Sequence, residues 1–182
     1  MSSRIFFACV FLSLCCASSP LSCRWMDHKF RQYSQSSLNL LDMLTYPYTN
    51  QDAQANIWPF PHHLYTQASR TSAEGKLAFT VQILREVSAL IVENDSSSSW
   101  GEITVEYFLN VVNKQADELQ SCVSTLGEWR PNRRLHTYFK RLSHGIFRQM
   151  GHSTEAWELI RREIKVHLFR VDHLVSSLFT AN

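Results

Sequence analysis

The sequence predicts an all-α fold: an up-up-down-down four-helix bundle with a fifth helix and a long first crossover loop. Three observations predict it. Apolar residues recur at three- and four-residue steps in five segments, and none shows sustained strand alternation. Every connection between those segments is short except one of 25 residues. Two cysteines, Cys23 and Cys122, sit where a bridge would decide which helix ends meet.

The chain opens on a leader. Arg4 is the only charge before Arg24, and residues 5–16, IFFACVFLSLCC, are an unbroken low-polarity stretch. A membrane-spanning helix needs roughly 20 such residues. A cationic start, a short apolar run and then small residues (ASSPLS) read as a secretory signal peptide, cut between Ser18 and Cys23. Residues 1–22 are then the leader, and residues 23–182 one helical domain. Cys9, Cys15 and Cys16 go with the leader. Two thiols left in an oxidising compartment are most simply one disulfide; the alternative is two unpaired thiols, one of them pairing between molecules. The bridge would close a loop of roughly 100 residues, which the chain-entropy model values at about 4.7 kcal/mol. Near-neutral charge (+2 for the whole chain, with Arg4 lost alongside the leader) gives no reason to expect nucleic acid or a membrane surface as partner. No second run approaches spanning length, so the expectation is a secreted, extracellular monomer with no membrane insertion.

The first helix is expected over about residues 24–45. Its stripe is Met26, Phe30, Tyr33, Ser37, Leu40 or Leu41, and Leu44, and Pro47 stops it. The second, about 71–93, opens on Thr71-Ser-Ala-Glu74, a capping box. It is apolar on two faces, as a central helix would be. The third, about 99–126, is capped by a serine of residues 96–99 and carries Val105, Phe108, Val112, Ala116, Leu119 and Val123. Glu102 and Glu106 share its solvated face. Pro131 starts the fourth, about 131–150, and Gly151 ends it. The fifth, about 153–179, has Trp157, Ile160, Ile164, Leu168, Val171 and Val175 on its core stripe. Trp157 therefore reads as a packing residue.

Short links join antiparallel neighbours. Helices two and three, three and four, and four and five therefore run oppositely. A Cys23–Cys122 bridge needs Cα atoms within about 7 Å. It would place the start of helix one beside the end of helix three, making helices one and two parallel. The segment 46–70, YPYTNQDAQANIWPFPHHLYTQASR, is long enough to return between two parallel helices. This is the pattern of growth hormone and cytokine bundles.

Motifs for chemistry are missing from the sequence. Eight histidines invite a metal reading, but their spacings fit no His-Glu-x-x-His arrangement and there is no Cys-x-x-Cys, so they read as surface residues. There is no Gly-x-Ser-x-Gly, no Walker loop and no Gly-x-Gly-x-x-Gly. The expectation is no enzyme, no cofactor and no metal. Asn94-Asp95-Ser96 is a glycosylation sequon in a short linker. Arg161, Arg162 and Lys165 are expected to point away from the core of the last helix. Arg133, Arg134, Lys140, Arg141 and Arg148 do the same on helix four. As sets they suit carboxylates on a partner, since Arg is enriched at interfaces.

The last helix, STEAWELIRREIKVHLF (153–169), resembles the signature of type I interferons, Cys-Ala-Trp-Glu followed two residues on by a basic position. Here these are Glu155-Ala156-Trp157-Glu158 and Arg161. The preceding RRLHTYFKRLSHGI, with Tyr138 and Phe139 before Lys140 and Arg141, resembles that family's previous helix. FPHHLY resembles its Phe-Pro loop element, and Cys23 and Cys122 match its first disulfide. Glu155 stands where the second disulfide would need a cysteine, and the long loop has none. That pattern is similar to the two-cysteine subgroup of bony-fish type I interferons. The loop also has no basic residue between Pro47 and Phe60, where mammalian relatives carry an arginine.

The resemblance implies a secreted antiviral cytokine that binds two class II cytokine receptor chains and signals through receptor-bound kinases and STAT factors (JAK-STAT). The alternative is another secreted four-helix-bundle cytokine or hormone. By position, one receptor face would take Leu41, Met43, Thr45, Phe60, Pro61, His62, Arg161, Arg162 and Lys165. A second, on helices two to four, would take Arg85, Glu86 and Lys114.

Overall fold

The computed structural model describes residues 26–44, 59–94, 100–123 and 130–179. Six helices lie there: α1 Met26–Met43, α2 His62–Ser69, α3 Ala73–Glu93, α4 Glu102–Val123, α5 Arg133–Met150 and α6 Thr154–Phe179. Among the described residues there is no strand. The leader, Cys23 and Thr45 lie outside them.

Side-chain contacts give the direction of each helix. Tyr33 of α1 donates its hydroxyl to Glu118 of α4, and Lys29 reaches the same carboxylate, so the early turns of α1 lie beside the late turns of α4. Asp42, near the end of α1, meets Arg161 and Lys165 in the first half of α6. Between α3 and α5 the partners advance together: Gln82 with Asn132, Glu86 with His136, Asn94 with Ser143. Those two helices are parallel. Between α5 and α6 they run in opposite senses, Tyr138 with Glu163 and Phe147 with Trp157. Helices α1 and α3 thus point one way and α4 and α6 the other, with α5 added against α3 and α6. Around the bundle the order is α1, α4, α3, α6, which leaves α1 and α3 diagonal. This is the up-up-down-down arrangement, and it follows from contacts that do not involve a cysteine.

The core is made where the apolar stripes meet. Phe30 and Leu41 of α1, Ile83, Leu84 and Val87 of α3, Phe108 and Val112 of α4, Leu135 of α5 and Ile160 and Ile164 of α6 are all inaccessible. Trp157 is fully buried, with its ring 4.9 Å from both Trp100 and Phe147.

Two local signals differ from the sequence reading. The expected long loop contains α2, eight residues from His62 that bury Leu64, Tyr65 and Ala68. The cap of α3 is Ser72, whose Oγ accepts from Gly75 N at 3.3 Å, rather than Thr71. Thr71 instead closes α2 by donating its hydroxyl to the Ala68 carbonyl at 2.7 Å. Pro131 and Gly151 bracket α5, although Pro131 lies just before the cap rather than in the first turn. Asn132 caps it through two backbone N–H groups, and Gly151 terminates it at φ +60°.

Candidate interaction surface

The expected first face falls on the seam between α1 and α6. At its centre is a charge network that exists because both helices bring polar residues to the edge of the core. Glu158 is 5 % exposed and accepts from both Arg161 Nε at 2.7 Å and Arg161 Nη2 at 2.8 Å. Arg162 Nε adds a third bond to Glu158 at 3.0 Å. Asp42 accepts from Arg161 Nη1 at 3.4 Å and from Lys165 Nζ, joining α1 to α6. Burial alone would push the Glu158 carboxyl up, but the two arginines outweigh it and hold it below the usual carboxylate range. The Glu158 hydrogen bonds make Arg161 still harder to deprotonate.

This geometry corrects part of the expected face. Arg161 is 8 % exposed and turned inward. It lies four residues after Trp157 and seven before Leu168, a register that belongs to the flank of the core. Leu41 is 0 % exposed and packs in the core, so it cannot meet a partner. Pro61 is buried at the start of α2. Met43, by contrast, is 71 % exposed, His62 is exposed, and Arg162 and Lys165 are partly so.

A continuous band links these residues. Lys165 lies 6.0 Å from the Phe169 ring centroid, and Phe169 is 52 % exposed with Val166 beside it at 41 %. The next residue, Arg170, places its guanidinium 5.9 Å from the Phe60 ring. Phe60 stacks on Tyr65 at 5.3 Å and touches His62 at 4.8 Å. The band therefore runs from Lys165, which Asp42 beside Met43 holds, across α6 to the start of α2. Sequence reasoning missed Val166 and Phe169. Their signal was available: large apolar residues off the core stripe of an otherwise amphipathic helix.

Phe60 is held by a polar cluster beneath it. His167, read as a surface histidine, is fully buried, unlike the other described histidines. Seven residues from Ile160 and four from Val171, it shares the core stripe. The Tyr65 hydroxyl lies 2.6 Å from His167 Nδ1, and Nε2 faces Glu163 Oε1 at 3.5 Å; a carboxylate there favours the tautomer with the proton on Nε2, in which Nδ1 accepts from Tyr65. The approach to Glu163 is electrostatic and too poorly formed to count as a hydrogen bond. Glu163 also accepts the Tyr138 hydroxyl. Burial lowers the His167 pKa against the opposing pull of Glu163, so the ring is neutral. Burial would raise Glu163, but the His167 ring and the Tyr138 hydroxyl hold it down.

The expected second face divides. Arg85 is exposed on α3 and pairs with Asp117 of α4, one turn from exposed Lys114. Glu86 turns instead toward α5, where His136 Nδ1 lies 3.0 Å away. Asn94 ends α3, its side-chain amide donating to the Leu90 carbonyl at 2.7 Å. Cys122, at the end of α4, is disulfide-bonded to a partner outside the described residues. Among the described residues no cluster of His, Cys, Asp or Glu has the arrangement of a metal site, and no helix is long and apolar enough to cross a membrane.

Comparison with known proteins gives a consistent picture. The interferon alpha/beta domain model matches residues 26–178. The chain is 35% identical to interferon a3 of Oncorhynchus mykiss over 174 residues, covering 95% of this chain and 97% of the relative. It is 28% identical to interferon alpha-3 of Canis lupus familiaris over 159 residues, 84% of this chain and 81% of that one. The solved structure of zebrafish interferon 1 superposes with a TM-score of 0.68 at 31% identity, over 81% of this chain and 94% of its own. With the bundle order, the Trp157 core and these likenesses together, the chain belongs to the interferon alpha/beta family, the helical cytokines of antiviral defence.

Proposed function

We propose that the chain is a secreted ligand that draws together two class II cytokine receptor chains and so triggers JAK-STAT signalling and an antiviral transcriptional response. Its mechanism needs no reacting group of its own. Two surfaces on one packed bundle hold two receptors at a set spacing.

The observation that carries this reading is the exposed band on the α1/α6 seam. Met43 and Phe169 offer apolar anchors beside the Arg162 and Lys165 cations. Interfaces concentrate their energy in such anchors with charged groups around them. Arg85 and Lys114 lie on the α3/α4 seam, across the bundle from α1/α6, where a second receptor would have separate access. The site is therefore Met43, Phe60, His62, Arg162, Lys165, Val166 and Phe169 for one receptor, and Arg85 and Lys114 for the other. Glu86 is left out of the second patch because it faces α5. Thr45 remains proposed by position alone, as do Cys23 as the partner of Cys122 and Asn94 as a glycosylated residue. The pairing of Lys29 and Tyr33 with Glu118 puts the start of α1 beside the end of α4, which supports the bridge.

The test is to apply the refolded chain to fish cells bearing the receptors and to measure STAT phosphorylation and antiviral transcripts. A response abolished by Met43→Ala with Phe169→Ala, at unchanged thermal stability, is expected. A correctly folded chain that elicits no response would overturn the reading.

A further inference from the structure

Helix α5 carries a cationic surface that the two receptor seams do not use. Counting 100° per residue, Arg133, Lys140, Arg141 and Arg148 fall within about 100° of one another, and Arg134 lies at the edge. Leu135, Phe139, Leu142 and Ile146 occupy the opposite, buried side. All five cations are exposed, and none pairs with a carboxylate among the described residues. The stripe is about 22 Å long at 1.5 Å per residue. Beside its first half lies a groove of about 550 Å³ between α5 and the Pro59–Leu64 segment. Three arginines (133, 134 and 141) and His63 line that groove, and no acidic residue does. On the other flank, Lys140, Arg141 and Arg148 line a second groove together with Glu86 and Glu93, so the acid-free part of the stripe is the part at the first groove.

We propose that this groove and stripe bind a sulfated linear polysaccharide of the cell surface or matrix. Charge complementarity names the occupant. The cations form a line rather than a compact patch, which suits a flexible polyanion that can follow the helix. A protein partner would need apolar anchors, and the exposed large apolar residues lie on α1, α3, α4 and α6, none on α5. Each neutralised sulfate releases condensed counterions, so binding should weaken steeply with salt, as it does for other linear polyanions. The binding would hold the secreted chain near the cell that receives it.

The experiment uses heparin as probe and the intact disulfide-bonded chain. Affinity is measured as a function of salt for the wild type, Arg133→Gln with Arg141→Gln, and a charge-matched control, Lys29→Gln with Lys76→Gln. The wild type should be retained at physiological salt. The α5 pair should lose about tenfold or more in affinity and lower the log–log salt slope by about two, one for each contact removed. The control should change affinity less than about twofold, and thermal stability should be unchanged in both, since all four side chains lie off the core. Equal loss in the two variants would show a mere net-charge effect and overturn the proposal, as would failure of the wild type to bind. Should the α5 pair keep heparin affinity yet lose signalling on cells stripped of sulfated chains, the stripe serves an acidic protein surface instead.

Discussion

At the scale of single residues, Arg161 and Arg162 are neighbours with different tasks. Arg161→Ala leaves Glu158 buried with only Arg162 to answer it, and should cost about 1–3 kcal/mol of stability in denaturant titration. Arg162→Ala with Lys165→Ala should leave stability within about 0.5 kcal/mol while weakening receptor binding in a titration on the isolated receptor ectodomain. The sequence shows why the first assignment failed. Charge suggests a surface, and only the count of four from Trp157 places Arg161 on the flank of the core. His167 is hidden similarly: its spacing to the other histidines fits no metal site, and only its register with Ile160 and Val171 places it in the core. It also makes a pH prediction. Its neutral form is favoured by the fold, so protonation is penalised in the folded state and not in the unfolded one. Stability should be insensitive to this group above about pH 6.5 and should fall as pH drops through that value, where the unfolded imidazole takes its proton first. His167→Gln should flatten the stability curve between about pH 6.5 and 5, read by thermal melts across that range, leaving the loss at lower pH that comes from Glu158 and Glu163.

At the scale of elements, five helices were legible because each repeats its apolar residues over four turns or more. Helix α2 was not. Its eight residues are shorter than the window in which a 3.6-residue period can be told from chance, and Pro59 and Pro61 before it read as loop. Its place is decided by tertiary packing, with Leu64 buried and Tyr65 set against Phe79 of α3 and His167 of α6. Helix ends were legible to within two or three residues, and Gly151 shows why one of them is firm. Its φ of +60° and ψ of −160° suit glycine alone, and a Cβ there would meet no atom within 4 Å. The cost of Gly151→Ala is thus backbone strain without a clash, about 1–3 kcal/mol by chemical denaturation. Trp157→Ala removes the ring between Trp100 and Phe147 and should cost about 3–5 kcal/mol, with activity lost in proportion to the unfolded fraction.

At the scale of the whole molecule, the fold class and the parallel pairing of α1 with α3 were readable from loop lengths and one assumed bridge. The contacts of Asp42, Gln82 and Glu118 establish the same directions without it. Reducing the disulfide or making Cys122→Ser should therefore lower stability, by up to about 4.7 kcal/mol if the loop is roughly 100 residues, while far-ultraviolet circular dichroism stays helical. A peptide map of the unreduced, secreted chain should join Cys122 to Cys23. The two outward seams share one interior, since α1/α6 and α3/α4 lie on opposite sides of the same packed layer. Damage to that layer should dim both proposed receptor contacts in parallel, whereas a change on one seam should silence one and spare the other. The ratio of the two binding constants, more than either alone, tells a misfolded ligand from one that has lost a single docking partner.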